Sequence, residues 1–309
     1  MSQDKGRKPG RGKPAGERGS HSRSEHSRGE HSRGERGGAQ RQERGGARRG
    51  GARTGAPKIP GGLEAVYGVH AVEALLARGR APSELWVQAG EAELRLNEII
   101  EQARAAGSRV TLKAREELDA LSTGGGAHQG LVALCAPLAT ENETGLKLRL
   151  DGWSHEEAPL FLVLDSVTDP HNLGACLRSA DAAGAHGVIV PKDKSASLNA
   201  TVRKVACGAA EVVPVYQVTN LVRTLDAMKE AGVWVLGTAG EAEAMAFEAD
   251  FTGPVAIVMG AEGKGMRRLT REHCDSLIKL PMAGSVSSLN VSVAAGVCLF
   301  EAVRQRRNG

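Results

Sequence analysis

Residues 160–174 read Leu160-Phe161-Leu162-Val163-Leu164-Asp165-Ser166-Val167-Thr168-Asp169-Pro170-His171-Asn172-Leu173-Gly174. Five consecutive apolar residues without polar alternation predict a strand at Leu160–Leu164, buried on both faces. A polar loop follows, and then a helix read over Gly174–Ala183. The same unit of strand, loop and helix recurs to the end of the chain. Short apolar runs predict strands at Gly187–Val190, Glu211–Val215, Val233–Leu236, Val255–Met259 and Leu277–Leu280. Helices are expected at Leu198–Ala206 and Leu221–Ala231, with a long last one from Ser292 to Arg306. Such alternation predicts a doubly wound α/β domain on a mostly parallel sheet, over residues 159–309.

Upstream, residues 63–138 predict a smaller α/β domain. Its expected helices are Val69–Arg78, Glu91–Ala106 (ending before Gly107) and Ala114–Leu121. Its expected strands are Glu84–Gln88, a short run around Val110 and Leu112, and Leu131–Cys135, with a flexible turn at Gly124-Gly125-Gly126. Residues 139–158 are polar with scattered acids and read as a linker.

Residues 1–60 form an Arg/Gly-rich tail. Of the chain's 40 Lys/Arg and 36 Asp/Glu, residues 1–58 hold 16 and 6, a local charge of +10. The remainder therefore holds 24 and 30 and carries −6. Almost no apolar side chain offsets the entropy of ordering this tail, so it reads as disordered. It is suited either to tethering a polyanion such as RNA or to simple solubilisation.

No apolar run approaches the ~20 residues that cross a bilayer, so no membrane partner is expected. No secretory apolar segment opens the chain. The five cysteines, Cys135, Cys176, Cys207, Cys274 and Cys298, are odd in number and contain no CxxC pair. That pattern points away from disulfides and a metal site and towards a reducing, cytoplasmic setting.

A doubly wound domain invites a nucleotide cofactor, yet residues 59–309 contain neither GxGxxG nor GxxxxGK[ST]. A dinucleotide turn and a P-loop are thereby excluded. Polar and glycine residues cluster instead in three places, each just after a strand. The first is Asp169-Pro170-His171-Asn172-Leu173-Gly174 with Arg178 beyond it. If Asn172 caps the helix, Arg178 can face the same crevice. The second is Met259-Gly260-Ala261-Glu262-Gly263-Lys264-Gly265, whose glycines allow close approach to a ligand. The third runs from Leu280 through Met282, Ser287, Ser288 and Leu289 to Asn290, leading into the last helix. Each alone could be a turn with a helix cap. Together they occupy carboxyl ends of strands, where open α/β sheets bind ligands.

These segments resemble the three sequence motifs of the SpoU/TrmH (SPOUT) family of RNA ribose 2′-O-methyltransferases: Asp169–Arg178, Val258–Gly265 and Leu280–Val293. Further likeness at Tyr67-Gly68-Val69-His70-Ala71-Val72 and His128-Gln129-Gly130 extends it over residues 64–309, towards members that methylate a guanosine ribose in 23S rRNA. The resemblance implies a trefoil-knotted catalytic domain, a ribosomal-protein-like RNA-binding domain before it, and a homodimer joined through the catalytic domains. Val293, Val297, Phe300 and Val303 of the last helix could serve that interface or the subunit's own core.

The resemblance further implies S-adenosylmethionine as cofactor, held by main-chain groups at Thr238, Gly240, Gly260, Leu280, Met282, Ser287 and Leu289. It assigns Arg178 to the target 2′-OH, with Asn172, Glu262, Ser288 and Asn290 positioning it. A guanidinium stays protonated up to about pH 12, so Arg178 is expected to bind phosphate, orient the hydroxyl and stabilise developing alkoxide. His171 could act in the chemistry or be a turn residue. Arg203, Lys204, Arg267, Arg268 and Arg271 are expected to present a positive face to RNA. Relatives acting on tRNA or another rRNA site, and a non-catalytic ribosome-assembly factor, are the competing readings.

Overall fold

The computed structural model describes residues 59–90, 94–122, 127–153 and 158–308. The tail, the expected start of a helix at Glu91 and the glycine turn at 124–126 lie outside the described residues. Two sheets organise the rest. The smaller contains β1 (Glu64–Tyr67), β2 (Glu84–Gln88), β3 (Arg109–Lys113) and β4 (Leu131–Cys135), in the order β1-β4-β2-β3. Helices α1 (Val69–Ala77) and α2 (Leu94–Ala105) cover one face, where Val72, Leu75, Ile99 and Ala103 are buried. Helix α3 (Arg115–Leu121) covers the other with Leu118 and Leu121 against Trp86.

The Tyr67–Val72 and His128–Gly130 segments meet here. The Gln129 Oε1 accepts the Val69 N–H at 3.0 Å and so supplies a partner for the first turn of α1. Gln129 holds a left-handed backbone (φ 52°), between the His128 ring, which accepts the Gly130 N–H, and β4. The pairing is structural capping.

The larger sheet has seven strands in the order β7-β6-β5-β10-β8-β11-β9, and its paired strands run parallel. They are β5 (Leu160–Asp165), β6 (Gly187–Pro191), β7 (Val215–Val218), β8 (Trp234–Thr238), β9 (Ala244–Met245), β10 (Val255–Gly260) and β11 (Ser276–Lys279). Period-two alternation sends Leu160, Leu162 and Leu164 to one core and Phe161 and Val163 to the other. The first core is shared with α5 (Pro170–Ala182), α6 (Ala200–Val205) and α9 (Val291–Asn308), through Leu173, Leu177, Val202, Ala295 and Leu299. The second is shared with α4 (Glu143–Asp151) and α7 (Leu221–Glu230), through Leu146, Leu150, Leu221 and Leu225. Helix α8 (Arg268–Glu272) joins the β10 loop to β11.

Four expectations are corrected. The linker read over 139–158 contains α4, whose two buried leucines sit four residues apart and whose Asn142 side chain caps its Thr144 and Gly145 N–H groups. The strand read at Glu211–Val215 begins only at Val215: Pro214 has no N–H to give a ladder, and Glu211 closes a 3-10 turn. Helix α5 starts at Pro170 rather than Gly174, capped by Asp169 and not by Asn172. The short strands β1 and β9 had not been expected.

Candidate active site

Strand β10 lies between β5 and β8, with Gly260 in register beside Asp165. That register brings the loops after β5 and β10 together at the carboxyl edge of the sheet. Asn172, in the first turn of α5, donates from Nδ2 to Glu262 Oε1 at 3.1 Å. Asn290 donates from Nδ2 to Asn172 Oδ1 at 2.9 Å and also to Glu262 Oε1. Its Oδ1 meanwhile accepts from the Ser292 N–H at 2.9 Å and the Ser292 hydroxyl at 2.6 Å, capping α9. Three segments separated by 90 and 118 residues are thus tied by three side chains.

Glu262 sits at the tip of a closed loop. Ala261 and Gly265 exchange two backbone hydrogen bonds, at 3.1 and 2.8 Å, and Gly263 and Gly265 take left-handed φ of 73° and 67°. At Gly260 a Cβ would stand 2.1 Å from Gly265 C and Met266 N, so only glycine fits beneath the loop. The far end is pinned by Asp165, which is wholly buried and accepts from the Arg267 backbone N–H at 2.7 Å and from Arg267 Nε at 2.6 Å. A carboxylate closing an apolar strand was the available signal for this anchor.

Beside this cluster lies a cavity of about 440 Å³. It is lined by the turn after β8 (Thr238–Glu241), the loop after β10, the end of β11 through Leu280 and Met282, and Ser287, Ser288 and Leu289. Thr238 is fixed by its hydroxyl, which donates to Val258 O at 2.9 Å. All seven main-chain positions expected to hold a cofactor line this cavity: Thr238, Gly240, Gly260, Leu280, Met282, Ser287 and Leu289. Glu262 and Ser288 line it too, whereas Asn172 and Asn290 stand at Glu262 outside the lining. Sequence reasoning did not single out Glu241, Lys279 or Lys264, which add charge to the wall. Glu241 pairs with Arg271 of α8, another lining residue.

Arg178 is not part of the Asn172 cluster. It is exposed on α5, and its Nη1 donates to Cys207 Sγ at 3.4 Å. His171 is an exposed first-turn residue whose backbone N–H is taken by Asp169. The expected positive face is corrected at Arg203, while Arg267, Arg268 and Arg271 stay at least part-exposed beside their acidic partners. Arg203 is only 1 % exposed and bonds to Glu211 through Nε at 2.9 Å and Nη2 at 2.5 Å. Arg267 serves Asp165, Arg268 pairs with Glu272 along α8, Arg271 with Glu241, and Lys204 lies over the Tyr67 ring. A buried guanidinium with a buried carboxylate is a structural pair, which is why its place in a basic run misled.

Residues 159–300 match the family described as SpoU rRNA Methylase, and residues 65–141 match RNA 2′-O ribose methyltransferase substrate binding. A Pseudomonas putida protein named 23S rRNA (guanosine-2′-O-)-methyltransferase RlmB is 60 % identical over 248 residues, covering 79 % of this chain and 98 % of that one. The protein of the same name from Escherichia coli K12 is 56 % identical over 246 residues, covering 79 % and 99 %. Among solved structures, the SpoU methyltransferase AviRb of Streptomyces viridochromogenes, in complex with the cofactor AdoMet, aligns at a TM-score of 0.67 and 29 % identity. That alignment covers 80 % of this chain and 92 % of that one. The cluster, the cavity and these relationships agree: the chain belongs to the SpoU rRNA methylase family.

Proposed function

We propose that this chain methylates the ribose 2′-hydroxyl of a guanosine in 23S rRNA, with S-adenosylmethionine as methyl donor. The observation that carries the reading is the Asn172–Glu262–Asn290 cluster at the lip of a cavity of cofactor size. The volume falls in the range of small-molecule sites. The walls suit the donor's chemistry: Met259, Ile278, Leu280 and Ala294 offer apolar surface, the Thr238–Gly240 backbone offers hydrogen bonds, and Glu241, Lys264 and Lys279 can meet a zwitterionic amino-acid end. When bound, S-adenosylmethionine supplies an activated methyl on a sulfonium.

The protein's own part is alignment and charge. Glu262, held from two sides by amides, keeps one oxygen bound to them and stands over the cavity. Ser288 offers a hydroxyl on the same wall. Arg178 grips a phosphate next to the target ribose and stabilises oxygen charge as the hydroxyl proton passes to solvent water and the methyl takes its place on the oxygen. The Cys207 thiol takes only Arg178 Nη1, so the other N–H groups of the guanidinium serve the phosphate. The base and the rRNA are taken from the relatives' names, and the RNA-binding role of residues 63–138 from the substrate-binding match.

The reading includes a trefoil knot in residues 159–309, supported by the out-of-order strands and by α9 returning onto α5. It includes a cytoplasmic setting and a homodimer, the latter supported by the exposed Val286, Val293 and Phe300 along the third loop and α9. Among the described residues no helix is long and apolar enough to cross a membrane.

Radiolabelled donor with 23S rRNA fragments and tRNA, followed by ribose mapping, tests the proposal. One 2′-O-methylguanosine in the 23S fragment is expected. Arg178→Ala should lower turnover by about 10²-fold or more with donor binding retained. Label in tRNA alone, on a base, or an unchanged rate for that variant would overturn it.

A further inference from the structure

We propose that the smaller sheet unit positions Arg178 through helix α6, with Cys207 as the positioning residue that holds the guanidinium. The inference rests on the methyltransferase reading, in which Arg178 meets the target ribose.

The seat of the smaller unit on the larger is a buried charge cluster centred on α6. Arg203 of α6 bonds Glu211, whose other oxygen accepts from Arg80 Nη1 at 2.8 Å. Arg203 also reaches Cys135 Sγ of β4 at 3.3 Å and Glu64 of β1 at 3.8 Å. The Arg203 and Glu211 side chains are 1 % and 2 % exposed. Breaking one partner out of such a group leaves a charge stranded away from water, so α6 is held firmly to β1 and β4.

The turn that ends α6 carries this seat towards the site. Gly208, at φ 96°, lies so close to α1 that a Cβ there would be 2.4 Å from the Ala74 methyl. Its neighbour Cys207 is left-handed without being glycine (φ 50°), a conformation that sets the direction of its Cα–Cβ bond. The thiol meets Arg178 Nη1 at 3.4 Å. Helix α6 is pressed on α5 at the same level: a Cβ on Gly174 would stand 2.7 Å from Val205 Cβ and 2.8 Å from Val202 O. Arg178 is therefore placed by α5 beneath it and by the Cys207 turn beside it, and the smaller unit braces that turn.

A thiol is a weak acceptor, so the contact orients the guanidinium rather than binding it tightly. RNA held by the smaller unit would meet Arg178 already aimed. A double-mutant cycle between Cys207 and Arg178 measures this coupling directly.

Full-length protein is assayed in single-turnover methyl transfer to a 23S rRNA fragment. The variants are Cys207→Ala, Cys207→Ser and Ala74→Leu, each alone and combined with Arg178→Lys. Cys207→Ala should slow transfer about fivefold with donor Kd and RNA KM unchanged, and Cys207→Ser should recover to within about twofold. Ala74→Leu, which wedges α1 away from Gly208, should slow it similarly. In the Arg178→Lys background none of the three should slow transfer further. Equal losses with and without Arg178, a serine no better than alanine, or no effect would overturn the inference. Should Cys207→Ala lose fold or donor binding, the Ala74→Leu cycle decides alone. A wild-type protein that methylates no RNA would instead bring down the parent reading.

Discussion

Gly260 shows how one missing side chain makes a site possible. The loop carrying Glu262 folds back over the end of β10, and the backbone of Gly265 and Met266 occupies the space a Cβ would need. We predict that Gly260→Ala pushes this loop outward. Overpacking of this kind costs ~1–3 kcal/mol, which corresponds to a roughly 5- to 150-fold weaker donor affinity. Calorimetric titration with S-adenosylmethionine checks this, and wild-type affinity would mean that the loop does not form the cavity floor. Asp165 acts from below by holding both the backbone and the guanidinium of Arg267. Burial pushes the thiols of Cys176 and Cys298 up to about 12, so they remain neutral at ordinary pH.

At the scale of elements, the sheet was legible because its strands are unbroken apolar runs. Leu160–Leu164, Gly187–Val190 and Val255–Met259 carry no competing signal. What stayed hidden had little local signal of its own. Helix α4 buries only Leu146 and Leu150 and leaves Leu148 69 % exposed, so its sequence reads as polar. Its cap at Asn142 was the cue available, and Asn142→Ala should destabilise the protein by about 1 kcal/mol in urea titration. No change would show that α4 is held by tertiary contacts alone, among them the bond from the Thr219 N–H to Glu143. The site divides in the same way. The glycine loops and Asn172, Glu262 and Asn290 could be picked out in one dimension, whereas the pairing of Arg203 with Glu211 and the separation of Arg178 from the amide cluster depend on how α6 packs.

At the scale of the whole molecule, five carboxylates in different elements are held towards the ionised state. The Lys113 side chain holds Glu117 below the usual range, the Thr219 backbone Glu143, the His273 ring Asp226, the Thr252 hydroxyl Asp250 and the Arg304 guanidinium Glu301. Each pKa is lower folded than unfolded, so their stabilisation is complete above the ordinary carboxylate range and fades as pH falls through the depressed values. The urea midpoint should be flat from about pH 7 to 5 and drop below about pH 4. A midpoint that rises on acidification would contradict these assignments. Stability on this scale also depends on the seam between the two sheets, where Glu64, Arg80, Cys135, Arg203 and Glu211 converge.

All of these levels meet in one claim, that three strand-end loops build a single donor pocket beside a ribose-binding lip. A crystal structure with S-adenosylmethionine bound tests it most directly. The account predicts the donor within the Thr238–Glu241, Gly260–Met266 and Leu280–Leu289 walls, its methyl directed at the Asn172–Glu262–Asn290 cluster. A donor bound elsewhere, or with its methyl turned away from those three residues, would contradict it.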